Sequence, residues 1–117
     1  MLFDSDILIS ENEEVDIHET IVVDCFNKAI QHGIYRDLPL YENSKAFFPK
    51  SLGLKVTDGK LDGIYAIAKE EKNAGNLRIY LGDSQNLIKN GTHTFELTYT
   101  YNSIIKFEDD GELLYLN

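Results

Sequence analysis

The chain has 117 residues, 43% of them apolar, which suits one domain with a modest core. Eleven Lys and Arg stand against twenty Asp and Glu, so the net charge is −9; that balance argues against a binder of the nucleic-acid backbone and against docking on anionic lipid. Cys25 is the only cysteine, which excludes an intramolecular disulfide and a cysteine-based metal site.

Taken in chain order, the first apolar run covers residues 3–10. A second, 14–24, alternates strictly: Val15, Ile17, Glu19, Ile21 and Val23 share one face, with Asp16, His18, Thr20 and Val22 on the other. That period puts Glu19 in the middle of the face that is to be buried. Asp24 to Gln31 reads either as a helical turn closed by Gly33 or as a bulged continuation of the strand. Next comes His32-Gly33-Ile34-Tyr35-Arg36-Asp37-Leu38-Pro39, with an arginine and an aspartate inside an apolar, strand-like run. Tyr41 to Ser51 is the longest loop, pinned by Phe47 and Phe48. Further strands are expected at 52–57, 64–69, 77–81, 93–101, 104–108 and 113–116. Turn signals at Asp58-Gly59, Asp62-Gly63, Asn73-Ala74-Gly75-Asn76 and Asp110-Gly111 separate most of them. In the clearest strand Phe95, Leu97, Tyr99 and Tyr101 share the core face. Seven Tyr and six Phe favour strands, and the pattern predicts a single antiparallel β-sandwich of about eight short strands with little helix.

An inward carboxylate demands a partner, because a buried carboxyl alone is driven neutral and an adjacent arginine restores its charge. Arg36 is the best candidate, since a guanidinium grips a carboxylate through two hydrogen bonds. Glu19 and Arg36 are therefore expected to form a structural ion pair, with Asp37 on the opposite side, facing solvent or capping a turn. His18, His32 and His93 lack the spacing of a zinc site. The acidic groups Glu11/Glu13/Glu14/Asp16 and Glu108/Asp109/Asp110/Glu112 lack a calcium-loop pattern. Neither a metal nor a cofactor is expected, and Cys25, beside Val22, Val23 and Phe26, reads as a small buried hydrophobe.

No apolar run approaches the ~18–20 residues needed to cross a membrane, and Met1-Leu2-Phe3 leads straight into Asp4-Ser5-Asp6 rather than into a signal peptide. The chain is either a natural cytosolic protein or a piece of a longer one.

Several segments together carry a resemblance. They are Asp4-Ser5-Asp6-Ile7, the alternating Val15 to Val23 run, and Gly33-Ile34-Tyr35-Arg36-Asp37-Leu38-Pro39. Leu77-Arg78-Ile79-x-x-Gly82, Gly91-Thr92-His93-Thr94-Phe95 and Glu112-Leu113-Leu114-Tyr115-Leu116-Asn117 complete the set. The chain resembles, over nearly its whole length, the N-terminal domain of the bacterial and archaeal membrane proteins grouped as domain of unknown function 2207. Leu116 departs from the family's usual Trp, and the family domain usually runs on for several more strands. The resemblance implies a soluble domain outside the cytoplasmic membrane, anchored by later helices and without assigned activity. The leading expectation is a non-enzymatic domain that binds or senses a protein, glycan or envelope ligand. The alternatives are a small hydrolase or lyase using Glu19, with Asp37 or a histidine as its partner, and a structural spacer. A sheet edge left open on the C-terminal side would favour an edge-strand homodimer.

Overall fold

A computed structural model describes residues 2–9, 14–25, 32–41, 51–83, 85 and 87–102, with Cys25 described by its backbone alone. The described residues form eight strands and no helix, so none is long and apolar enough to cross a membrane. The strands are β1 (Leu2–Ile9), β2 (Val15–Cys25), β3 (Gly33–Pro39), β4 (Lys55–Leu61), β5 (Ile64–Tyr65), β6 (Ile67–Asn73), β7 (Asn76–Gly82) and β8 (Gly91–Tyr101). They make two antiparallel sheets, a five-stranded one in the order β1-β2-β8-β4-β5 and a three-stranded one in the order β3-β7-β6. The expected β-sandwich is the fold of the protein. The strands expected at 104–108 and 113–116, the segment 26–31, the loop residues Phe47 and Phe48, and the acidic group at 108–112 lie outside the described residues.

The sheets meet through their alternating faces. Val15, Ile17, Ile21 and Val23 of β2 and Phe95, Leu97, Tyr99 and Tyr101 of β8 are each 5% exposed or less. They pack with Leu38 of β3 and with Ile79 and Leu81 of β7. The register pairs Ile17 with Tyr99, Glu19 with Leu97 and Ile21 with Phe95. A one-residue slip would turn the whole set outward, so burial fixes the register.

Two readings of the sequence are corrected. Asp58-Gly59 is not a turn but part of β4, at a bulge that inserts Thr57 between Val56 and Asp58. The residues that signal a turn also serve a bulge: the Asp58 carboxylate accepts the Gly59 N–H at 2.9 Å. The extra residue lets Val56 and Gly59, three apart, pair with Tyr99 and Leu97 on one face. Secondly, the run 64–69 is not one strand. Ile64–Tyr65 belongs to the larger sheet and Ile67–Asn73 to the smaller. Ala66 joins them, giving its N–H to the Gly59 carbonyl at 2.8 Å and accepting the Gly82 N–H at 2.9 Å. Period-two alternation cannot reveal this crossing, because both halves keep extended backbone.

Gly59 lies where β4 passes over the smaller sheet, and a Cβ there would come within 2.5 Å of Ile67 Cγ1 and 2.7 Å of Leu81 Cδ2. Overpacking of this kind costs about 1–3 kcal/mol. Gly59→Ala is therefore expected to lower the unfolding free energy by that amount, read as a lower urea midpoint with an unchanged m-value. Gly63→Ala, in open space at the neighbouring turn, should cost only what its positive φ of 83° imposes.

Candidate functional site

Glu19 lies mid-strand on the inner face of β2 and is 0% exposed, the one buried charged residue among those described. It is held from the opposite sheet. Arg36 on β3 donates Nε–H to Oε1 at 2.7 Å and Nη2–H to Oε2 at 2.8 Å. From its own sheet, Tyr99 on β8 donates its hydroxyl to Oε2 at 2.6 Å. Both carboxylate oxygens thus accept charge-assisted hydrogen bonds. The Arg36 side chain is only 13% exposed, and its Cζ lies 5.1 Å from the centroid of the Phe3 ring on β1. Strands β2, β3 and β8 therefore converge on one carboxylate, and β1 covers the guanidinium that holds it.

The electrostatics follow from that geometry. Burial pushes the Arg36 guanidinium down, but the hydrogen bonds and charge of Glu19 outweigh it and hold the group above its ordinary value. Burial pushes the Tyr99 phenol up, and the Glu19 charge and hydrogen bond push it further, so it remains a donor. Tyr101 meets Tyr99 edge to face, with centroids 5.8 Å apart, and donates to the Pro39 carbonyl at 2.9 Å. That bond makes a second tie between β8 and β3.

Glu19 and Arg36, the two residues expected to pair, are brought together. The acids and histidines considered as catalytic partners of Glu19 engage other groups. Asp37 points to the outer face of β3 and takes Nε–H and Nη2–H of Arg78 at 2.8 and 3.0 Å. The His18 ring lies within hydrogen-bond distance of Glu96 at 3.3 Å and of Thr98 at 3.1 Å. His32 Nδ1 is 3.0 Å from the Asp83 carbonyl. His93 Nδ1 sits 2.6 Å from Asp62 Oδ2, and its Nε2 sits 2.6 Å from the Lys89 carbonyl. Both ring nitrogens of His93 therefore face acceptors, which suits a doubly protonated ring. Among the described residues, no three His, Cys, Asp or Glu side chains converge as metal ligands.

Sequence reasoning missed Tyr99, Phe3 and Arg78. Tyr99 was legible as a core residue but not as a donor, because that role depends on the β2–β8 register. Phe3 and Arg78 depend likewise on strand neighbours, β1 beside β2 and β7 beside β3.

The fold is that of a small all-β domain with one carboxylate sealed between its two sheets. Over residues 1–117 the chain matches the family described as predicted membrane protein (DUF2207) N-terminal domain, and it belongs to that family. It is also 28% identical over 116 residues to a protein of Escherichia coli (strain K12) described as uncharacterized protein YciQ. The match covers 99% of this chain and 18% of that relative, so the chain spans under a fifth of the relative's length. No solved structure matches the chain.

Two predictions test this chemistry. Tyr99→Phe removes a hydrogen bond to a buried charge and should cost about 1.5–3 kcal/mol, whereas Tyr101→Phe removes a neutral one and should cost about 0.5–1.5 kcal/mol. Urea unfolding of both variants measures the contrast.

The second concerns pH. The Thr94 N–H, then His93, hold the Asp62 carboxyl below its ordinary 3.8. Asp62, then the Lys89 carbonyl, hold the His93 imidazole above its ordinary 6.5. A lowered acid contributes stability above its unfolded pKa and loses it as pH falls through the folded one. A raised histidine contributes below its unfolded pKa and loses it as pH rises through the folded one. The pair should therefore stabilise most between about pH 4 and 6.5. His93→Gln should flatten the alkaline fall in unfolding free energy relative to the parent chain; parallel pH curves for the two would contradict the assignment.

Proposed function

We propose that the chain is a single, non-enzymatic β-sandwich domain, the soluble part of a membrane-anchored protein. It is displayed on the outer side of the cytoplasmic membrane, where it binds or senses an envelope ligand or partner. Membership in a family of predicted membrane proteins supports the anchored context.

The observation that carries the non-enzymatic reading is the state of Glu19. Its oxygens are committed to Arg36 and Tyr99, and the residue is 0% exposed. General acid–base work needs a carboxyl that reaches a substrate proton, and this one instead fixes two sheets against each other. Of the acid–histidine pairs, Asp62 with His93 has both ring nitrogens against acceptors, and in Glu96 with His18 the ring also meets Thr98. Function then falls to the surface. The acidic balance of −9 supports a partner other than nucleic acid.

Association through strand edges is part of the same reading. β1 is an outer strand of the larger sheet, and it leaves Leu2, Phe3, Ile7, Leu8 and Ile9 each more than 40% exposed.

Reporter fusions in the full-length parent protein test the side of the membrane. Alkaline phosphatase, which needs external disulfides, should be active when fused after residue 117, and a green fluorescent reporter at the same point should stay dark. The opposite pattern would place the domain in the cytoplasm and overturn the proposal.

A further inference from the structure

The outer face of the smaller sheet is arranged in three rows across β3, β7 and β6. Asp37, Arg78 and Glu71 form the first row, and Tyr35, Tyr80 and Lys69 the second. The third is a pair of glycines, Gly33 opposite Gly82. Neither glycine can be replaced without displacing backbone: a Cβ on Gly33 would lie 1.9 Å from the Leu81 carbonyl oxygen, and one on Gly82 would lie 1.9 Å from that of His32. Both have φ near +140°, which side chains rarely adopt. The sheet surface therefore steps down beside the two tyrosines, and a cavity of about 380 Å³ opens there, lined by His32, Gly33, Tyr35, Lys69 and Tyr80 among others. That volume lies within the range of small-molecule sites.

The wall of the step is preorganised. The rings of Tyr35 and Tyr80 have centroids 6.0 Å apart at 51°. Arg78 Cζ lies 4.1 Å from the Tyr35 centroid, and Lys69 Nζ lies 5.7 Å from that of Tyr80. The Tyr80 hydroxyl donates to Glu71 at 3.0 Å. Tyr35 is nevertheless 53% exposed, although it is held in place. Rings fixed before binding lose little conformational entropy on contact.

The charges decide the class of ligand. Arg78 is paired with Asp37 at 2.8 Å and Lys69 with Glu71 at 3.1 Å, so each cation beside the rings already has its anion. A charged ligand would have to break one of these pairs, and an anion would also meet a chain of net charge −9. The cleft is open, so a purely aliphatic ligand would stay partly wet. An uncharged ring with one C–H face and a hydroxylated rim breaks neither pair, and it matches a lining that offers phenol rings beside polar side chains. We infer that the glycine-floored cleft beside Tyr35 and Tyr80 binds a neutral saccharide. The inference rests on the ligand-binding reading above and names its site and ligand class.

Amide chemical shifts of the 117-residue chain test it, with maltose, cellobiose and N,N′-diacetylchitobiose as probes. At least one sugar should move amides at 33–35, 69 and 80–82, with a dissociation constant of about 1 mM. Tyr35→Ala should weaken that binding about tenfold, and Tyr35→Phe, which keeps the ring, should restore it. Because Tyr35 is half-exposed, both variants should retain the parent's shift dispersion. Three silent sugars, or shifts elsewhere in the chain, would overturn the assignment. A proline-rich peptide that moves these amides when the sugars do not would also overturn it, while leaving the binding reading in place; the reporter fusions test the side of the membrane separately.

Discussion

A carboxylate with no route to water governs this fold. Glu19 occupies the middle of a strand whose neighbours on the same face all belong to the core, and alternation leaves it nowhere else to point. An unpaired charge there would cost several kcal/mol. The partner that satisfies it comes from the other sheet, so the condition for burying Glu19 is that β3 lies across β2 with Arg36 at one position. The ion pair thus acts as a register pin between layers. A purely apolar interface would leave the sheets freer to slide, since apolar contact has no preferred direction. Buried pairs do not necessarily add stability over apolar residues of the same size; this one joins a strand of each sheet.

The rest of the architecture accommodates that placement. β8, central in the larger sheet, carries both Tyr99, which completes the shell of Glu19, and Tyr101, which ties back to β3. The bulge in β4 keeps Val56 and Gly59 on one face, and the absent side chain at Gly59 leaves room for Ile67 and Leu81. Ala66 then passes the chain between the sheets with its backbone groups paired on both sides. The core is closed around Glu19, Arg36 and Tyr99, so the proposed binding role rests on the outer faces. There the smaller sheet presents aromatic rings and compensated charges, without an exposed unpaired ion at its centre.

Much of this was legible in the sequence, and the exceptions have a common cause. Alternation at 15–23 and 95–101 identified the core strands and marked Glu19 as anomalous, because a period of two assigns every residue to a face without knowledge of partners. Arg36 followed from chemistry, as the arginine set among apolar neighbours. What stayed hidden was everything that depends on which strand lies beside which: Tyr99 as a third member of the cluster, Phe3 beside the guanidinium, Arg78 as the partner of Asp37, and the rows on the outer face. Asp58-Gly59 misled because turns and bulges draw on the same residues. The crossing at Ala66 misled because it leaves no mark on the local pattern. The surface cleft had no sequence signature, since glycines at 33 and 82 become a floor only once β3 pairs with β7.

The central claim, that Glu19 and Arg36 form one energetic unit joining the sheets, is tested most directly by a double-mutant cycle in urea, using Glu19→Ala, Arg36→Ala and the combined variant. Each single change strands a buried charge and should cost roughly 3–5 kcal/mol. The combined change should cost less than the sum by more than about 1 kcal/mol. If the two losses add to within about 0.5 kcal/mol, or if either single change costs under about 1 kcal/mol, the residues are not coupled and the fold does not depend on their pairing.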